Sequence, residues 1–198
     1  SHNVAIGRNT LKVQNFTTAT DAYNVAVGSN AGAAVTTGVR NTLIGGLAGD
    51  ALTSGNSNVA LGYASLSADT LGDRNVAIGF EALTTQNFTT TTDAFNTAVG
   101  HSAGKAVTTG ITNTFVGGLA GTGHTSGANT VAIGYNTLAA NAGTNFNTAV
   151  GSQAMSAQNE GGRNVAIGYQ ALTADTKGAR NVAVGWGTLS QSNQTTVT

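Results

Sequence analysis

Acid–base and metal chemistry starts from carboxylates, histidines and thiols, so their number and spacing come first. The 198-residue chain has eight acids, three histidines and no cysteine. Cleaving a glycosidic bond takes two carboxyl groups roughly 5–9.5 Å apart. Asp21, Asp50, Asp69, Asp73, Glu81, Asp93, Glu160 and Asp175 stand mostly in polar turns beside Lys or Arg, and read as solvated turn residues. His2, His101 and His124 show no ligand spacing, whereas a structural metal needs three or four converging ligands. Gly45-Gly46-Leu47-Ala48-Gly49-Asp50 is a glycine-rich run ending in an acid, as a calcium-binding turn would be. Its counterpart 72 residues on ends in Thr122, so the acid does not repeat. Gly100-His101-Ser102-Ala103-Gly104-Lys105-Ala106 is too short for a phosphate loop and lacks Ser or Thr after its lysine. These residues point to no enzyme, catalytic group, metal ligand or cofactor.

What must position any site is a repeat. Asn75-Val76-Ala77-Ile78-Gly79 has near copies beginning at Asn3, Asn24, Asn41, Asn58, Asn96, Asn113, Thr130, Asn147, Asn164 and Asn181. The spacing is 17 residues, stretched to 21 after Asn3 and after Asn75. A fixed period of this size marks a stack of supersecondary units rather than one closed globule. Counting the Asn as position one, position two is Val or Thr and position four is Ile, Val or Leu, which favours a strand. Position three is Ala except at Leu43 and Phe115, so the strand is apolar on both faces. Position five is always Gly, as a tight turn or close backbone approach requires. The repeated Asn suits a ladder along the stack. Segments such as Glu81-Ala82-Leu83 and Gln170-Ala171-Leu172 predict a second short strand in each coil. The expected fold is all-β, a parallel β-solenoid of about eleven 17-residue coils and two sheets thick. At about 4.8 Å per coil it stands about 50 Å tall. On this reading Ile78 belongs to the aliphatic ladder of the core, and Asp175 lies in a solvated turn.

The pentapeptides, followed by x-x-A-L or x-x-A-G, resemble the YadA-like head repeats of trimeric autotransporter adhesins and the similar repeats of phage or phage-like tail fibres. The resemblance covers all eleven coils. It implies a left-handed parallel β-roll with three chains to a head, displayed outside the cell on a bacterial surface or a phage-like tail. Its implied role is attachment to a glycan or protein receptor on a host or target cell. The period is longer than such adhesin heads usually show, which favours the fibre side of the family. A homotrimer also follows from the strand itself, because a roll buries one apolar face and leaves the other outward for identical chains to cover.

Composition agrees with an extended module. Only 8% of residues are charged, with 8 basic against 8 acidic, which argues against a nucleic-acid groove or a polybasic membrane contact. No apolar run approaches the roughly 20 residues of a membrane span, so no membrane insertion by this segment is expected. Residues 1–190 form the repetitive roll and 191–198 a polar exit toward a neck, stalk or assembly domain. The first coil begins at Asn3, so the chain reads as part of a longer protein.

Binding is expected on the surface in one of two places. The four-residue insertions form loops that carry Phe16 and Phe88 and end at Tyr23 and Phe95. Loops on a rigid scaffold are where binding tends to reside, although the two Phe could instead fold back as lids. The residue after the invariant Gly is aromatic in five coils: Tyr63, Phe80, Tyr135, Tyr169 and Trp186. Such rings could stack on sugars or anchor a protein, or fill gaps between chains. Two alternatives remain: a pure spacer within a fibre, or an ice-binding solenoid built on recurring pairs such as Thr36-Thr37 and Thr108-Thr109.

Overall fold

The computed structural model describes residues 2–191; nearly all of the polar exit, 192–198, lies outside the described residues. Positions two to four of every coil form a three-residue strand, from β1 (Val4–Ile6) through β6 (Val76–Ile78) to β13 (Val182–Val184). Eleven such strands make one parallel sheet in coil order. The pairing stays in frame, for example Val76↔Thr97, Ala77↔Ala98 and Ile78↔Val99 across a 21-residue coil. The four extra residues are therefore absorbed outside this sheet, near the small pair β5 (Gly72–Asp73) and β7 (Thr92–Asp93). The chain is an all-β parallel solenoid, with no helix among the described residues.

Two local devices hold each strand. Gly79 ends β6 at φ +134, and a Cβ there would lie 2.3 Å from the carbonyl oxygen of Gly100 in the next coil, so only glycine fits. At the other end, Asn58 Oδ1 accepts the backbone N–H of Asn75 at 2.9 Å while Asn58 Nδ2 donates to the Gly72 carbonyl at 2.8 Å. The Asn ladder thus runs from side chain to backbone, coil after coil, and is buried. Each such bond contributes about 1 kcal/mol net.

The expected second strand is absent among the described residues. Glu81 and Leu83 are left-handed, at φ 53 and 50, and this alternation curls the chain into a wall of turns. Leu83 N–H still bonds the Ala103 carbonyl at 3.1 Å, so the turns ladder along the axis much as strands would. Each non-glycine left-handed residue costs roughly 1 kcal/mol, offset by those ladder bonds and by burial of the leucine.

The core lies between the sheet and this wall, and its volume is matched coil by coil. Where position three is Ala, position nine of the same coil is usually Leu or Met, as in Ala77 with Leu83 and Ala149 with Met155. Where position three is large, position nine is Gly in its own coil and in the coil before. Leu43 is served by Gly49 and Gly32, and Phe115 by Gly121 and Gly104. A Cβ on Gly121 would come within 2.3 Å of the Phe115 ring.

Two expectations are overturned here. Ile78 is not in the core: position three points inward and positions two and four outward, so Ala77 is buried and Ile78 half-buried. The acids are not all solvated either. Asp69 and Asp175 have no exposed surface and Asp73 very little, because their turns curve inward over the core.

Candidate functional site

The strand's outward face is the most distinctive surface. Position two gives a column of Val and Thr, position four a column of Ile, Val and Leu, and position six the aromatic column. The residue just before each Asn adds a fourth, at the corner leading into the strand. Fifteen of the seventeen exposed large hydrophobics among the described residues fall in these four columns, so the patch is continuous rather than scattered. Val184 is 61% exposed and Trp186 78%. Positions two to six of eleven coils cover on the order of 650 Å², above the usual size of a single patch on a monomer.

The aromatic column is stacked. Tyr63 and Phe80 lie 5.6 Å apart between centroids, and Phe80 and His101 5.3 Å apart with their planes nearly parallel. Tyr169 stacks on Trp186 at 6.3 Å, while Tyr135 is exposed. The period that stacks the coils also stacks these rings, wherever neighbouring coils both carry one; Gly118 and Ser152 interrupt the column on either side of Tyr135. On the corner column, Tyr23 stacks on His2 at 5.1 Å. Arg74 lies over the Phe95 ring at 5.6 Å and pairs with Asp93; Arg163 lies over Phe146 at 5.4 Å. Phe146 was missed in the sequence reading. It precedes Asn147 as Tyr23 precedes Asn24, and counting back one residue from each Asn would have found it.

The loop aromatics behave differently from one another. Phe88 is 6% exposed and packs inward, so it is withdrawn from the exposed binding candidates. Its N–H points to Asp69 Oδ1 at 3.4 Å and its carbonyl accepts the Thr70 hydroxyl at 3.0 Å, which pins the loop down. The exposed tip is Thr89-Thr90-Thr91. Phe16 in the first loop is half-buried. The described surface holds no pocket, and no three of its His, Asp or Glu side chains converge as a metal site would need.

The second region is internal. Position twelve reads Val35, Leu52, Asp69, Gln86, Val107, His124, Asn141, Gln158 and Asp175, every one buried. The sequence reading missed this column because its chemistry changes from coil to coil; only counting eleven residues on from the first position of each coil reveals it. Asp69 accepts Gly72 N–H at 3.0 Å and Gln86 Nε2 at 2.6 Å, and Gln86 in turn accepts Asn96 Nδ2 at 2.8 Å. Burial raises the Asp69 carboxyl above its usual range, against the pull of those donors. Asp175 accepts Gly178 N–H at 2.7 Å and Asn181 Nδ2 at 2.9 Å.

His124 and Gln158 depart from this pattern: each has a buried side-chain atom without a hydrogen-bond partner, and His124 is the titratable one of the two. Its Nδ1 lies 2.9 Å from Asn141 Oδ1, which already accepts the N–H groups of Gly143 and Thr144. An oxygen accepting two amides requires Nδ1 to be the donor, which leaves Nε2 as a bare acceptor. That Nε2 is buried without a hydrogen-bond partner. Desolvation lowers the His124 pKa below its ordinary value; the Gly127 backbone and Asn141 oppose part of that shift.

Compared with known protein families, with curated proteins and with solved structures, the chain matches none.

Proposed function

We propose that this solenoid is a structural and adhesive segment of a homotrimeric extracellular fibre, on a bacterial surface or a phage-like tail, that helps attach to a glycan or protein receptor on a target cell. The observation that carries this reading is the continuous outward face of aliphatic and aromatic columns. A single chain leaves it wet, and closed three-fold symmetry covers it with no new sequence. The pentapeptide repeat, which resembles adhesin-head and tail-fibre repeats, supports the same arrangement. With its strand face given to its own copies, the segment meets its receptor through the exposed loop tips and those rings of the aromatic and corner columns that stay at the rim. The reading is non-enzymatic: the acids that sequence alone would offer to catalysis are mostly exposed in turns or held in hydrogen bonds and ion pairs, and half-buried Asp50, whose Oδ1 has no partner, borders no pocket.

The ice-binding alternative is disfavoured by one observation. Thr36 and Thr53 donate their hydroxyls to the carbonyl of the next coil, each at 3.1 Å, so these hydroxyls serve the ladder instead of forming a free array. A spacer role differs from the proposed one only in the absence of a receptor contact.

Light scattering on the folded chain tests the reading, with the mass of three chains at micromolar concentration expected. A stable monomer would overturn it. The trimer is then exposed to target cells or a glycan array; a trimer that binds nothing leaves the spacer.

A further inference from the structure

We propose that coils seven and eight, residues 113–146, form an acid-sensitive joint in the solenoid, closed while His124 is neutral and opened when it takes up a proton. The inference goes beyond the fibre reading and does not rest on it.

Three independent observations meet at this joint. The first is the seat of His124, which has no exposed surface and whose bare Nε2 has no donor in reach. Phe115 packs against the ring at 5.3 Å, and above and below it in the column stand Val107 and Asn141. The second is charge. Between Lys105 and Glu160 there is no Asp, Glu, Lys or Arg, so coils seven and eight contain no group that could balance an imidazolium. The titratable side chains on the coils packed against this one are few. Tyr135 is exposed in coil eight; in coil six His101 is exposed in the aromatic stack and Lys105 is paired with Glu81 at 2.6 Å. The third is the break in the Asn ladder. Coil eight begins with Thr130, whose hydroxyl reaches only the carbonyls of Ala128 at 3.3 Å and Thr144 at 3.5 Å. The Thr130 hydroxyl is turned to those carbonyls rather than to the N–H of Asn147, so the bond that Asn113 makes to Thr130 at 3.0 Å is not repeated one coil on.

The physical sequence follows. At neutral pH the ring is an uncharged core residue held by Asn141. On acidification Nε2 gains a proton beside the Gly127 backbone, whose carbonyl also serves Asn113 Nδ2 at 2.8 Å; that contact offsets part of the cost, but no carboxylate in these coils balances the charge. A buried cation without a counter-charge favours whichever state lets water in. The coil that opens is the one already missing a ladder bond to its neighbour. A solenoid allows this, because each coil contacts only its neighbours and can open locally. The sign is that of a histidine disfavoured in its charged form: closure is unaffected above the unfolded pKa of about 6.5 and weakens as pH falls below it.

Hydrogen exchange on the intact chain tests this between pH 7.5 and 5, corrected for intrinsic rates. Amides of 113–146 should open about tenfold more often per pH unit below about 6, while coils 24–57 stay flat. His124→Val, which copies the Val35 and Val107 of the same column, should abolish that slope and leave protection at pH 7.5 intact. His124→Gln, after Gln86 and Gln158, is the second variant should the first misfold. An equal acid slope in a folded variant overturns the proposal. So does an NMR titration of wild type in which the His124 imidazole protonates near 6.5 with the coil still protected, a measurement that needs no variant.

Discussion

The outer strand face and the inner twelfth column invert the usual distribution of polarity. Outside, Ile6, Ile133, Tyr135 and Trp186 stand in water; inside, Asp69, Gln86, Asn141 and Asp175 are sealed away. The difference lies in how each region is satisfied. The inner polar groups are closed by their own coil and the next, through bonds such as Gly178 N–H to Asp175 and Gln86 to Asp69. The outer apolar groups have no such local solution, because a three-residue strand presents the same two positions outward in every coil. The internal polar column is therefore closed within the chain except at His124 Nε2 and Gln158 Oε1, whereas the external apolar column has no cover of its own, which is what the proposed trimer would supply.

The largest expected effect tests the packing on which both regions depend. Gly121→Leu gives coil seven the residue that most coils with Ala at position three carry, and the left-handed backbone is no obstacle, since Leu83 and Leu138 adopt it. The obstacle is Phe115, and overpacking should cost about 3 kcal/mol. Adding Phe115→Ala should recover most of that loss, as measured by thermal unfolding. A Gly121→Leu single variant as stable as the parent would show that the large-and-glycine pairing is not what fills the core.

Next come the two regions set directly against each other. Asp175→Ala leaves Gly178 N–H, Lys177 N–H and Asn181 Nδ2 facing an apolar methyl, and should cost about 1–3 kcal/mol. Ile78→Asp puts a charge on the outward face, so the coil should keep its fold while the proposed trimer falls to monomer on a sizing column. If Ile78→Asp unfolds the isolated chain and Asp175→Ala leaves it untouched, inside and outside have been confused. A finer version stays within the column. The raised Asp69 carboxyl penalises the folded state at neutral pH, and the penalty fades as pH falls through its folded value toward 3.8. Wild type should therefore gain stability relative to Asp69→Asn as pH drops from 7 to 4, opposite in sign to the His124 effect. A pH-independent difference between the two chains would mean that Asp69 is solvated.

How much of this was legible beforehand depends on which residues repeat. The strand, its terminal Gly and the Asn were readable because the same atoms meet the same atoms in each coil, which forces one residue type. The outward face was readable as a face, though Ile78 was placed in the core, because alternation alone does not say which side is in. The wall of turns was not readable: Glu81 and Leu83 sit at positive φ, a conformation neither residue type advertises. The twelfth column stayed hidden for the opposite reason, since a buried site that can be satisfied by Val35, by Asp69 or by His124 leaves no residue signature. The pairing of Phe115 with two glycines, by contrast, was visible in the 72-residue echo of Leu43 with its own two glycines.

The smallest effect on stability is expected at the loop tip, which belongs to neither region. Thr89, Thr90 and Thr91 are exposed, and the bonds that pin the loop are made by Phe88 and by the short ladder of β5 with β7. Coil nine runs from Asn147 to Arg163 and closes the same unit in 17 residues, so the path without an insertion already exists in this chain. Deleting the three Thr while keeping Phe88 should shift stability by no more than about 0.5 kcal/mol, as for other exposed changes. The same deletion, with its counterpart at Thr17-Thr18-Ala19, should lower attachment to cells or a glycan array if the tips meet the receptor. The proposed trimer would present each tip three times, so weak contacts would add through avidity, and their loss should exceed the effect of one site. A shortened trimer that attaches as well as the parent would move binding to the rim aromatics. Replacing Tyr63, Phe80 and Trp186 by Ser in the same assay would then separate a receptor contact, which lowers attachment at constant mass, from an interchain contact, which lowers the mass itself.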